Sequence, residues 1–141
     1  MKIKEIIKKH EGFRDHIYKD TLGFKTIGYG HKVLDTDPFV EGEVYPKEIL
    51  EKVFDEDFNK AKQAADRLLM HLDPPQDAVD VVISMVFQLG EAGTANFKNM
   101  FQALENEDYV EAASQMLDSK WHMQTPARCQ ELANMMRNCD L

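Results

Sequence analysis

The sequence predicts a mainly helical α+β protein with a small N-terminal lobe holding a short antiparallel sheet, a long connecting helix and a larger all-helical C-terminal lobe. Three observations carry this prediction. Residues 13–34 have the spacing of short strands punctuated by glycine and turn residues. Apolar positions from Ile49 to Leu68 keep helical spacing over about twenty residues. Beyond Asp73-Pro74-Pro75, the apolar clusters again recur with a helical period. At 141 residues and 43% hydrophobic, the chain can bury one real core with a small second lobe. Residues 1–141 therefore read as a single domain, its lobes taking approximately residues 13–58 and residues 1–12 plus 59–141.

Ile3, Ile6, Ile7 and His10 share one stripe, so residues 2–11 form a helix. Gly12 can take the left-handed conformation that ends it. Ile17 and Tyr18 lead into a turn at Lys19-Asp20-Thr21-Leu22-Gly23, and Phe24 to Ile27 makes a second strand. Gly28 and Gly30 permit a tight bend or a close backbone approach, and His31 ends the strand region. Residues 35–45 hold Asp, Pro and Gly and read as a loop. Pro46 suits the first turn of the long helix, which Val53, Phe54, Ala61 and Ala65 sustain until Asp73-Pro74-Pro75 stops it. Ala78, Val79, Val82, Ile83, Val86 and Phe87 mark a strongly apolar helix that Gly90 can end. Phe97, Met100, Phe101 and Leu104 mark another. Asp108 and Glu111 have capping-box spacing before a further helix. Thr125 and Pro126 supply an N-cap and N1 pair for a last helix through about Arg137.

The net charge of −8 is unevenly spread. Residues 1–34 carry eight Lys/Arg against four Asp/Glu, whereas residues 35–141 carry nine against twenty-one. The acidic part reads as a solvated helical surface, and the basic N-terminal segment can face an anionic substrate. No basic cluster with interleaved aromatics marks a nucleic-acid partner. There is no run of eighteen apolar residues and no secretory signal. If Cys129 and Cys139 lie on one helix they stand about 15 Å apart, beyond disulfide reach. Reduced thiols and synthesis in the cytoplasm fit that spacing.

Chemistry concentrates in the first 31 residues. Glu11 falls in the last turn of its helix, at the negative end of the dipole, where Lys8 and Lys9 obey the usual preference for cations and Glu11 breaks it. That placement disfavours ionisation, as a general acid working near neutral pH requires. Asp20 follows in the hairpin. Two carboxylates, one protonated to release a leaving oxygen and one ionised to activate water, are the minimum for cleaving a glycosidic bond. The stripe of Val53, Phe54 and Ala61 should turn the long helix towards the small lobe, so that Asp57 meets the imidazole of His31.

Five segments stand in register along the chain: His10-Glu11-Gly12, Tyr18-Lys19-Asp20-Thr21, Thr26-Ile27-Gly28-Tyr29-Gly30-His31, Met85-Val86-Phe87-Gln88-Leu89-Gly90-Glu91, and Trp121 with Gln124-Thr125-Pro126-Ala127-Arg128. Together they resemble the phage-type lysozyme family. The resemblance covers nearly the whole chain. It implies a lysozyme-like fold and hydrolysis of the β-1,4 bond between N-acetylmuramic acid and N-acetylglucosamine in peptidoglycan. Glu11 matches the general acid, and Asp20 with Thr26 matches the pair that orients the attacking water. Phe87 and Gln88 match glycan-holding residues. Lys32, Met100 and Gln115 stand at further contact positions with residue types unlike those of relatives. His31, Asp57, Trp121 and Arg128 are expected to support the site and fold. The 35–45 loop and the C-terminus are shorter than in familiar members, which are basic where this chain is acidic. The implied protein is a monomeric, inverting endolysin with no cofactor or metal. It would stay in the host cytoplasm until a holin opens the membrane, then act on peptidoglycan glycan strands. A lytic transglycosylase, a virion-associated lysozyme and a non-catalytic glycan-binding module are the alternatives, and retention of Asp20 and Thr26 argues against the first and last.

Overall fold

The computed structural model describes residues 2–140. Its elements follow in the order α1 (Lys2–Glu11), β1 (Arg14–Lys19), β2 (Lys25–Gly28), β3 (His31–Lys32), α2 (Lys47–Leu68), α3 (Gln76–Ala95), α4 (Lys98–Glu105), α5 (Tyr109–Leu117), α6 (Lys120–Gln124) and α7 (Pro126–Arg137), with a 3-10 turn at Asn138–Asp140. This is the mainly helical α+β architecture with an N-terminal antiparallel sheet that the sequence predicts. Two compact units divide the chain, one through Lys60 and one from Ala61.

In the first unit, α1 buries Ile3 and Ile7 completely, and its lysines reach the start of α2. Lys4 Nζ lies 3.3 Å from Asp55, and Lys8 Nζ lies 2.7 Å from Glu51. The sheet has the order β1-β2-β3, with Tyr18 opposite Thr26, Thr26 opposite Lys32 and Ile27 opposite His31. The first hairpin closes through Asp20 N–H donating to the Phe24 carbonyl at 2.9 Å. Side chains alternate across a sheet, and directly opposed residues share a face. Tyr18, Asp20, Phe24, Thr26 and Lys32 therefore line one face, and Ile27 and His31 line the other. β3 is only two residues long, too short for periodicity to reveal as a strand.

In the second unit, α3 supplies the centre of the core, with Ala78, Val81, Val82, Ile83 and Met85 fully buried. α5 packs on α7 through Ala112, Ala113, Met116, Leu132, Ala133 and Met136, all buried. By length and composition alone α3 could cross a membrane. Its Asp77 and Asp80, and its buried run from Asp80 to Val86, mark a core helix instead.

Several local expectations are corrected. α2 ends at Leu68, ahead of Asp73-Pro74-Pro75, because Leu72 N–H donates to the Leu69 carbonyl and tightens the chain into a turn. Gly90 breaks the helical path with φ +80° and ψ 168°, yet a helical segment resumes to Ala95, with the Thr94 hydroxyl donating to the Gly90 carbonyl at 2.8 Å. The Asp108 carboxylate caps Glu111 N–H at 3.0 Å, but the Glu111 side chain accepts from Gln115 Nε2 rather than closing the reciprocal half of a box. Thr125 does occupy the N-cap position of α7 with Pro126 at N1, and its carbonyl accepts Cys129 N–H at 3.0 Å, but its side chain makes no capping bond, the hydroxyl donating to the Trp121 carbonyl at 3.3 Å instead. The short α6, capped by Ser119 at His122 N–H, had no apolar period to announce it.

Candidate active site

Glu11 is the last residue of α1, and Gly12 ends the helix with φ +71° and its N–H on the Lys8 carbonyl at 2.9 Å. The Glu11 carboxyl then packs against Gly30, in the turn between β2 and β3. A Cβ at Gly30 would collide with Glu11 Oε1 and stand only 2.9 Å from its Cδ. Gly30 also holds φ +75°, so side-chain clearance and backbone conformation both call for glycine there.

Asp20 is fixed by its own hairpin. Its Oδ1 accepts Leu22 N–H at 2.9 Å and Phe24 N–H at 2.8 Å, the side-chain-to-backbone pattern that makes Asp a turn former. The turn thus orients the carboxylate without help from another element. Thr26 is 3% exposed, and its hydroxyl donates to the Phe24 carbonyl at 2.9 Å. With its proton used there, the oxygen presents lone pairs and can accept a hydrogen bond from water. Tyr18, opposite Thr26, has its phenol pushed above the usual range by burial first and by the charges of Glu11 and Asp20, with Arg14 acting in the other direction. Both carboxylates are therefore felt at one point of the sheet face that carries Asp20 and Thr26.

His31 lies on the opposite face, between two carboxylates. Nδ1 meets Asp57 Oδ2 at 2.7 Å, and Nε2 meets Asp37 Oδ2 at 2.8 Å. The bond to Asp57 raises the imidazole above its ordinary value, burial opposes it, and Asp37 adds to the rise. For Asp37 burial pushes upward, but Leu34 N–H at 2.8 Å and the imidazole outweigh it, and its carboxyl is held low.

A third cluster anchors α1. Glu51 accepts from Lys8 at 2.7 Å and from the Tyr29 hydroxyl at 2.8 Å. Burial and then Glu51 push the Tyr29 phenol up to about 12, while Lys8 chiefly holds Glu51 low. Lys8 stands one turn before Glu11, and Tyr29 directly precedes Gly30. The cluster therefore joins the two segments between which the Glu11 carboxyl is seated.

Of the remaining predicted residues, Lys32 lies on β3 in the first unit, opposite Thr26, and the others belong to the second unit. Trp121 is buried, and its Nε1 donates to Gln88 Oε1 at 2.9 Å. Gln88 Nε2 donates in turn to Thr125 Oγ1 at 3.3 Å. Phe87 is half-buried one residue before Gln88, and Arg128 is half-buried on α7. Met100, Gln115 and Trp121 line one open cavity of about 640 Å³, together with Leu89, Phe97 and Gln124. Among the described residues, no group of three or more His, Cys, Asp or Glu could hold a metal ion.

Sequence reasoning missed Lys8, Tyr29, Glu51 and Asp37. Lys8 had a signal in its one-turn spacing from Glu11. Asp37 had none, because a loop residue gives no periodic clue to where its side chain will point.

The profile of a family described as phage lysozyme matches residues 8–138. Two proteins of Dictyostelium discoideum are similar over most of their length. "Probable T4-type lysozyme 2" is 26% identical, across 89% of this chain and 88% of that protein. "Probable T4-type lysozyme 1" is 27% identical, across 95% and 92%. "Peptidoglycan hydrolase gp36" of Pseudomonas phage phiKMV is 28% identical across 92% of this chain, which corresponds to 14% of that protein.

Proposed function

The chain belongs to the phage lysozyme family and is a glycoside hydrolase of peptidoglycan, and from that premise we propose that it cleaves the β-1,4 bond between N-acetylmuramic acid and N-acetylglucosamine with inversion. In this reading Glu11 protonates the leaving oxygen. A water held by Thr26 and the Asp20 carboxylate attacks the anomeric carbon from the opposite side of the sugar ring and gives its proton to Asp20. One observation carries the proposal: Asp20, locked by two N–H donors, shares a sheet face with Thr26, whose hydroxyl proton is already committed to Phe24. That leaves Asp20 Oδ2 and the Thr26 lone pairs to receive the two hydrogens of a water. A lytic transglycosylase has no use for such a pair, because its reaction consumes no water.

The biological setting is part of the same proposal. The protein acts as an endolysin that is held in the host cytoplasm, depends on a holin, and works as a monomer on glycan strands to release phage. Digesting purified peptidoglycan and identifying the new sugar ends tests the chemistry. Reducing N-acetylmuramic acid ends are expected, and 1,6-anhydro ends would replace hydrolysis by transglycosylation.

A further inference from the structure

Phe24 is 52% exposed, while the other seven phenylalanines are buried or half-buried. It stands opposite Asp20 at the mouth of the hairpin and two residues before Thr26, on the face those residues share. Lys32, opposite Thr26 on the far strand, places its Nζ 4.7 Å from the centre of the Phe24 ring. Leu22, at the hairpin tip, is 76% exposed. The hairpin thus keeps apolar surface in water beside the candidate catalytic row, with a cation held over the aromatic ring.

That combination has a definite chemical complement. The C–H face of a pyranose stacks on an aromatic ring, and an adjacent ammonium pairs with a carboxylate. Alternate sugars of a peptidoglycan strand carry a lactyl carboxyl group, free or linked to a peptide that has carboxylates of its own. Resting on the function proposed above, we infer that Phe24 and Lys32 form a sugar subsite selective for a carboxylate-bearing pyranose, with Phe24 stacking on the ring and Lys32 reading the acid. Beyond the contact expected of Lys32, this assigns Phe24 and a charge preference. Lys32 lies on β3, and Phe24 immediately precedes β2 with its carbonyl and N–H both bonded to Asp20, so the platform is fixed by strand register and by the hairpin's own hydrogen bonds.

Two tetrasaccharides separate the contributions in a Glu11→Gln background that binds without cleaving. One is an all-N-acetylglucosamine oligomer, which is neutral. The other alternates N-acetylglucosamine with N-acetylmuramic acid and carries free lactyl carboxylates. By calorimetric titration the acidic oligomer binds more tightly, and added salt erodes its advantage. Phe24→Ala weakens both roughly five- to tenfold, and Phe24→Trp restores them. Lys32→Gln weakens only the acidic oligomer, and Lys32→Arg restores it. Unchanged affinities in Phe24→Ala and Lys32→Gln would overturn the subsite. Kinetics on peptidoglycan keep the two readings apart. Wild type that releases no sugar ends contradicts the functional reading. Wild type that hydrolyses while both variants retain its KM contradicts the subsite alone.

Discussion

Gly30 is constrained twice, by a φ of +75° and by the Glu11 carboxyl that fills the space its side chain would need. Gly30→Ala should cost about 1–2 kcal/mol through backbone conformation alone. Its larger effect should fall on turnover, because a carboxyl displaced by about 1 Å can lose on the order of a hundredfold in rate. Denaturant unfolding together with hydrolysis rates checks this, and an alanine variant of near-normal turnover would show that the seat does not matter. Glu11→Gln removes the transferable proton and should reduce wall lysis by roughly two to four orders of magnitude without loss of fold. A soluble Glu11→Gln protein that lyses walls nearly as well as wild type would remove Glu11 from its role. The sequence marked Gly30 as a place where something approaches closely. What approaches comes from a different helix, and no local pattern encodes that pairing.

Elements are tied together by side chains that the hydrophobic pattern does not predict. His31 joins β3 to α2 through Asp57 and to the following loop through Asp37. Its raised value means that its stabilisation is fully present below the unfolded histidine pKa of about 6.5 and is lost as pH rises through the higher folded value. Asp37, held low, contributes stability above its unfolded value of about 3.9, which is lost as pH falls through the depressed one. Stability should therefore peak on the acidic side of neutral, and Asp37→Asn and Asp57→Asn should each flatten the profile on the alkaline side. Removing one partner of a charge-assisted hydrogen bond should cost about 1.5–3 kcal/mol near the maximum. Unfolding midpoints across pH 3 to 8 report this, and mutant curves parallel to wild type would mean that the clamp carries no charge-dependent stability. The long elements were legible because Ile3 and Ile7, Phe54 and Ala65, and Val82 and Val86 repeat with helical spacing. α6 and β3 were not, being too short to complete a period. Thr125 was legible as the N-cap position of α7, but not the partners of its hydroxyl, Trp121 and Gln88, which come from other elements.

For the molecule as a whole, a charge of −8 opposes approach to an anionic wall. The Debye length is about 30 Å at 0.01 M ionic strength and about 10 Å at 0.1 M. Wall lysis should therefore quicken as salt is raised across that range, and a monotonic fall would show that local cations such as Lys32 outweigh the net charge even at long range. The composition disclosed this acidity at once, while the spatial arrangement of Glu11, Asp20 and Thr26 was legible only through the motifs that hold them. Attack by a water held by Asp20 and Thr26, opposite the leaving group, is the central proposal, and proton NMR of a glycan digest during the first turnovers observes its consequence directly. The first-formed N-acetylmuramic acid ends should appear as the α anomer and then drift toward the mutarotated mixture. Initial formation of the β anomer would contradict the account.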